Sequence, residues 1–162
     1  MYTNSLYTTM ADTSLNEDRL SILIWQISNL WQSKIKQRLK NSNITFNEYI
    51  ILETLYKLEK IKDNITQQEI CKNSSIDRSV VSLKITNLEK KKLLNRTQKV
   101  DKRSYGLFLT SSGNMLVENL INSIENQENI IFDKLGSEIL NFTNSLKLLL
   151  GKKIRIKAKL ND

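Results

Sequence analysis

Arg78, Ser79, Val80, Ser82 and Lys84 fall within seven consecutive residues, and together they offer a guanidinium, two hydroxyls, a branched apolar group and an ammonium. Arg78 can bond a guanine edge or a phosphate, Ser79 and Ser82 can donate or accept, Val80 can meet a thymine methyl, and Lys84 suits a phosphate. Further along, Asp101, Lys102 and Arg103 stand together in what reads as the tip of a hairpin. The two cations there can reach phosphates or a minor groove, while Asp101 can hold an arginine in a fixed pose through a charge-assisted hydrogen bond. Taken singly, each is an ordinary solvated side chain. Their grouping has the chemistry of nucleic-acid recognition.

The charge distribution points the same way. The 162-residue chain carries a formal net charge of +8. From Ile76 to Gly106 nine Lys or Arg face three Asp or Glu, and from Gly151 to Asp162 five face one, so the remainder of the chain is slightly acidic. Lys, Asn and Ile abound, as AT-rich codon usage favours, which makes the distribution of charge a better guide than its total. A solvated helix face usually mixes both signs, whereas two separate basic concentrations fit a polyanionic partner.

Other chemistries are disfavoured. The single cysteine, Cys71, has no partner for an internal disulfide, and the chain has no histidine. Imidazole or paired-thiolate metal sites, Ser-His and Cys-His nucleophile pairs are therefore not expected. With four glycines in all and no Gly-rich phosphate loop, the sequence gives no sign of an enzyme or of a cofactor. No signal peptide or membrane span is legible, and a cytoplasmic location is the default expectation. Cys71 is expected to be a small inward residue of its helix and not a redox sensor.

The elements that must position these groups can be read from periodicity and caps. Met1 to about Asn16 is polar and aperiodic, and is expected to be a mobile arm. From Asp18 to Lys40, Leu20, Leu23 or Ile24, Ile27, Leu30 or Trp31, Ile35 and Leu39 recur at helical steps and predict one long amphipathic helix. Trp25 and Trp31 read as core or subunit-packing residues. Thr45-Phe46-Asn47-Glu48 and Thr66-Gln67-Gln68-Glu69 both have the form of capping boxes, predicting helices from Phe46 to about Lys60 and over a short stretch containing inward Ile70. Ile65 between them reads as a short strand or a staple.

Asp77 is a good N-cap for the next helix, in which Val81, Ile85 and Leu88 share a face and Lys90-Lys91-Lys92 occupy the last turn. Asn95 to Gln98 and Tyr105 to Leu109 are strand candidates on either side of the charged tip. Thr110-Ser111-Ser112 then caps a long helix through about Leu135, Gly136-Ser137 interrupts, and a last helix is expected from Glu138 to Ala158. A short helix, a turn, a second helix basic on its open face and a hairpin have the order of a winged helix-turn-helix. The fold class expected is mainly α with a small β-hairpin wing.

In Ser79-Val80-Val81-Ser82, Leu88-Glu89-Lys90-Lys91-Lys92-Leu93-Leu94-Asn95-Arg96, Asp101-Lys102-Arg103-Ser104 and Leu107-Phe108-Leu109-Thr110-Ser111-Ser112-Gly113, the chain resembles the MarR family of bacterial transcription regulators. These runs look like the family's recognition helix, its exit, its Asp-x-Arg wing and its entry to the following helix. With its helical flanks the resemblance extends over about Asp18 to Ala158.

It implies a homodimer, with residues 18–44 and 111–162 as dimerisation helices around a DNA-binding unit at residues 45–110. Recognition helices would enter successive major grooves of a pseudo-palindromic operator in duplex DNA, and wings would enter minor grooves. It also implies a repressor and a small phenolic or lipophilic effector, for which the sequence assigns no pocket. The recognition contacts carried over are Arg78, Ser79, Val80 and Ser82, with Asp101 and Arg103 on the wing.

Two departures stand out. Lys92 occupies a position where members often have glycine, predicting a less tight turn into the wing, and Leu83 stands where many carry arginine. The alternative function, suggested by the basic tail from Lys152 to Lys159, is a winged-helix module for protein association or non-specific nucleoid binding.

Overall fold

The computed structural model describes residues 19–98 and 105–154. Helix α1 (Leu20–Leu39) is the long amphipathic helix expected, but its stripe is divided. Ile35 and Leu39 are buried, whereas Leu20, Leu23, Ile24, Leu30 and the neighbouring Trp25 are exposed. Trp31 is half-buried; its ring meets Phe46 edge-on at 5.2 Å and its indole N–H donates to Glu128 at 2.9 Å.

Helices α2 (Phe46–Glu59) and α3 (Gln67–Ser74) both open on the capping boxes read from the sequence. The Thr45 N–H donates to Glu48 Oε2 at 2.7 Å, and the Thr66 N–H donates to Glu69 Oε2 at 2.9 Å. Each reciprocal pair satisfies backbone donors that a helix start leaves unpaired. Asp77 caps α4 (Arg78–Lys90).

Strands β1 (Leu94–Gln98) and β2 (Tyr105–Leu109) pair antiparallel, with Leu94 opposite Leu109 and Arg96 opposite Leu107. Ile65 adds a one-residue bridge, its carbonyl accepting from the Leu107 N–H at 2.8 Å. Alternation along β2 buries Leu107 and Leu109 and leaves Phe108 exposed. One apolar cluster joins α2, α3, α4, the hairpin, the inner face of α5 (Ser111–Phe132) and the end of α1. It includes Ile51 of α2 and Val117 of α5, neither with any exposed surface.

The close joint between the hairpin and α5 explains the Leu-Thr-x-x-Gly run. Thr110 Oγ1 accepts from the Gly113 N–H at 3.0 Å and donates to the Lys92 carbonyl at 2.8 Å. A Cβ on Gly113 would lie 1.9 Å from the Leu93 carbonyl oxygen, so only glycine lets α5 start this close to the end of the α4 turn.

Three expectations from the sequence are corrected. The long helix ends at Phe132 and gives way to a 3-10 segment (Asp133–Glu138), in which Gly136 breaks the helical dihedrals with φ 50° and ψ −124°. The last helix, α6 (Ile139–Leu149), stops well before Ala158. Gly151 takes φ 65°, and the N–H groups of Gly151 and Lys152 return to the carbonyls of Leu148 and Lys147 at 2.9 and 2.8 Å, a glycine-capped helix end. The turn after α4 is tight in spite of its lysine. Leu93 N–H bonds to the Leu88 carbonyl at 3.0 Å and Lys92 N–H to Glu89 at 2.9 Å, with Lys92 itself at φ 58°. The bonds of this turn outweigh the left-handed strain that a side chain brings there.

An ion pair between distant segments holds the other side of the same turn. The Glu48 side chain is 2% exposed, and its Oε2 accepts from Lys91 Nζ at 2.9 Å as well as from the Thr45 N–H. Lys91 Nζ donates in addition to the Asn43 carbonyl at 2.7 Å. Burial pushes the Glu48 pKa up, and is the largest single influence on it. The bonds from the Thr45 backbone and the Lys91 ammonium together outweigh burial and hold the pKa below its ordinary value.

Two outcomes are expected. Lys91→Met leaves a buried carboxylate without its cation and should lower stability by about 1–3 kcal/mol in urea melts at neutral pH; an unchanged midpoint would contradict the pairing. Because the folded pKa of Glu48 is depressed, its contribution is present above the ordinary value of 4.5 and is lost as pH falls through the lower folded value, so Glu48→Gln should flatten the acid limb of the stability profile. Separately, Lys92→Gly removes left-handed strain and should raise stability by about 0.5–1 kcal/mol, read as a higher melting temperature; a lowered one would show that the turn is unstrained.

Candidate nucleic-acid interface

Helix α4 has one dry face and one wet one. Val81, Ile85 and Leu88, at i, i+4 and i+7, have no exposed surface. Arg78, Ser79, Ser82 and Leu83 are exposed on the rest of the first two turns, and Val80 and Lys84 are half-buried beside them. The structure thus brings Arg78, Ser79, Val80, Ser82 and Lys84 together, because three inward residues at helical spacing fix which way the others face. Asp101, Lys102 and Arg103 lie outside the described residues; the strands that lead to them are described.

The start of α4 restricts what Ser79 can do. Asp77 Oδ1 accepts from the Ser79 backbone N–H at 2.8 Å and from its hydroxyl at 2.5 Å. These bonds, that of the hydroxyl first, hold the Asp77 carboxyl below its ordinary pKa and keep it ionised. With its O–H donating to the Asp77 carboxylate, the Ser79 oxygen has its lone pairs free and suits a donor such as a base amino group. Ser82 carries no such engagement of its hydroxyl among the described residues, although its carbonyl accepts from Thr86 Oγ1 at 3.1 Å.

The basic run divides into internal and outward cations, a division that the charge count in the sequence does not reveal. Lys91 serves Glu48. Arg96 on β1 turns back onto α4, donating to Thr86 Oγ1 at 3.0 Å and lying 3.6 Å from Glu89. Arg78, Lys84, Lys90 and Lys92 form no ion pair among the described residues, so they supply the positive field on this side. Leu83 is the residue that sequence reasoning treated only as a departure. It is 60% exposed, one turn beyond Val80, and the spacing already placed the two on one face. Together they make an apolar strip of the kind that meets thymine methyl groups.

Among the described residues no group of three His, Cys, Asp or Glu side chains could hold a metal ion, and no helix is long and apolar enough to cross a membrane. Cys71 is half-buried against the core, in keeping with the small inward residue expected.

Comparison with known proteins agrees with this geometry. Residues 44–105 match the MarR family. The chain is 30% identical to MepR of Staphylococcus aureus as solved in a MepR–DNA complex, over 82% of this chain and 96% of that one, with a TM-score of 0.74. It has the fold of a MarR-family transcriptional regulator from Rhodococcus sp. RHA1, at a TM-score of 0.74 over 89% of this chain and 100% of that one, with 14% identity. It is 26% identical over 111 residues to the uncharacterized HTH-type transcriptional regulator YdcH of Bacillus subtilis (strain 168), which spans 68% of this chain and 76% of that protein. With its helix-turn-helix, hairpin and flanking helices in the matching order, the chain belongs to the MarR family of DNA-binding transcription regulators.

Proposed function

We propose that the protein is a homodimeric repressor that binds a pseudo-palindromic operator in the bacterial cytoplasm. In this reading α4 enters the major groove and the Asp101–Arg103 tip enters the minor groove. The observation that carries the proposal is the two-faced α4: a helix seated by Val81, Ile85 and Leu88 has no freedom to turn its polar side away from a groove. MepR, at 30% identity, has been solved with DNA, which supports duplex DNA as the partner.

The assigned roles follow from chemistry. Arg78 bonds a guanine edge or a phosphate, Ser79 accepts from a base, Ser82 donates or accepts, Val80 and Leu83 meet thymine methyls, and Lys84 and Lys102 neutralise phosphates. Asp101 orients an arginine, and Arg103 enters the minor groove with its guanidinium on a flanking phosphate.

Residues 45–110 are the DNA-binding unit in this proposal, and residues 18–44 and 111–162 join two subunits. The divided stripe of α1 supports the second assignment. Its exposed half, with Phe142 of α6, lines an apolar groove of about 470 Å³, and Ile139, Leu140, Leu148 and Leu149 of α6 are exposed as well. Apolar surface of this extent is what a second copy would cover.

Removal of a phosphate contact should weaken binding at all sequences and reduce the salt slope by about one, which is expected for Arg103→Ala. Loss of a guanine contact in Arg78→Ala should instead cost about 1–3 kcal/mol at the cognate site and relax preference at one base pair. Fluorescence anisotropy at several salt concentrations checks both. Binding identical to the parent for both variants would contradict the assigned interface.

A further inference from the structure

The inner face of the hairpin is apolar at Leu94, Leu107 and Leu109, and all three are buried. Arg96 follows Leu94 by two residues on β1 and stands opposite Leu107, so the pleat places it on that same face, while Asn95 and Thr97 on either side of it are exposed. An arginine thus occupies a position where the alternation calls for an apolar residue. It lies on the tip side of the Leu94–Leu109 pair, where the strands lead toward Asp101–Arg103.

The guanidinium is spent on α4. Nη2 donates to Thr86 Oγ1 at 3.0 Å, and Nη1 lies 3.6 Å from Glu89 Oε2. Thr86 and Glu89 are three residues apart on one helix face, so the planar guanidinium meets α4 at two points. The Arg96 and Glu89 side chains keep 31% and 38% of their exposure, and an ion pair that open contributes little by itself. The Thr86 hydroxyl supplies the direction, since it accepts from Arg96 and donates to the Ser82 carbonyl at 3.1 Å. Two successive hydrogen bonds therefore run from β1 to the backbone of a residue whose side chain is exposed on the open face of α4.

We propose that Arg96 is a positioning residue for DNA recognition, which clamps the hairpin to α4 through Thr86 and so sets the angle at which the wing meets the minor groove while α4 lies in the major groove. A two-stranded hairpin is marginally stable alone, and Ile65 adds a single bridge to it, so the angle must come from side chains that reach another element. Arg96 touches neither base nor phosphate; its effect on binding passes through the wing. This role rests on reading α4 and the wing as the two elements that contact DNA. The clamp itself, as a joint between β1 and α4, does not.

The test is a double-mutant cycle on the full chain, with Arg96→Met and Arg103→Ala made singly and together and binding measured on the duplex that the parent selects. Arg96→Met should weaken binding roughly tenfold in the parent but less than about twofold in the Arg103→Ala background, where the wing contact through which it acts is already removed. Thr86→Val, which removes no charge, should reproduce the loss, and Thr86→Ser should keep the parent affinity. Arg96 and Thr86 are half-buried and these replacements are close to them in size, so the fold is kept, which circular dichroism verifies. Losses that add in full overturn the proposal, because a direct phosphate contact or a general weakening of the fold would act alike in both backgrounds. Parent affinity in Arg96→Met or in Thr86→Val overturns it too. Preference of the parent for its selected duplex over random duplex reports separately on the DNA reading. Without DNA, backbone amides of β1 and β2 should exchange faster in Arg96→Met than in the parent, and equal rates would overturn the clamp whatever the duplex result.

Discussion

Helix α4 can offer the same side chains to a groove each time only if its axis is fixed, and the Glu48–Lys91 ion pair fixes the end at which it leaves the core. Glu48 is nearly without solvent and Lys91 lies at the C-cap of α4, so the pair joins the first turn of α2 to the last of α4. A charge buried this far is stable only where its bonds repay desolvation; here a backbone N–H and an ammonium share one carboxylate oxygen. The chain next takes the left-handed turn at Lys92, whose carbonyl accepts from the Thr110 hydroxyl at the hairpin joint, and admits α5 at Gly113. Tension at any of these points would be felt as a rotation or shift of α4.

The parts of this arrangement that depend on near neighbours in sequence were legible. Both capping boxes, the Asp77 cap, the Val81-Ile85-Leu88 face and the hairpin strands rest on spacings of two to seven residues, which the chain displays directly. The pairing of Glu48 with Lys91 was not legible, because 43 residues separate them and Glu48 already had a local role in its capping box. For the same reason the charge count of residues 76–106 does not separate Lys91 and Arg96 from the unpaired cations, although tertiary contacts engage both. At Lys92 the residue type pointed to a loose turn, yet the bonds to Leu88 and Glu89 close it. The early end of α6 was written in Gly151, whose capping role outweighs the apolar and basic residues that follow it. The Asp101–Arg103 tip, read as half of the candidate interface, lies outside the described residues, so the structure bears on its flanking strands alone.

The long helices are unequally committed. The C-terminal end of α1 belongs to the core through Ile35 and Leu39, and Trp31 ties it to α5 through Glu128. Its N-terminal end is apolar and open. A second copy seated on that open half would be linked rigidly to the core of each subunit, and so to α4, because one continuous helix spans both environments. The distance between two recognition helices would then be set by packing far from the DNA.

Selection of bound duplexes from a random-sequence pool tests the central claim most directly, because half-site spacing reports on dimer geometry and base readout together. Two inverted half-sites whose centres lie about one helical turn apart, roughly 10 base pairs, are the predicted result. A pool that remains random after selection, with binding that falls with salt but shows no sequence preference, would contradict the account and favour a non-specific nucleoid-binding role.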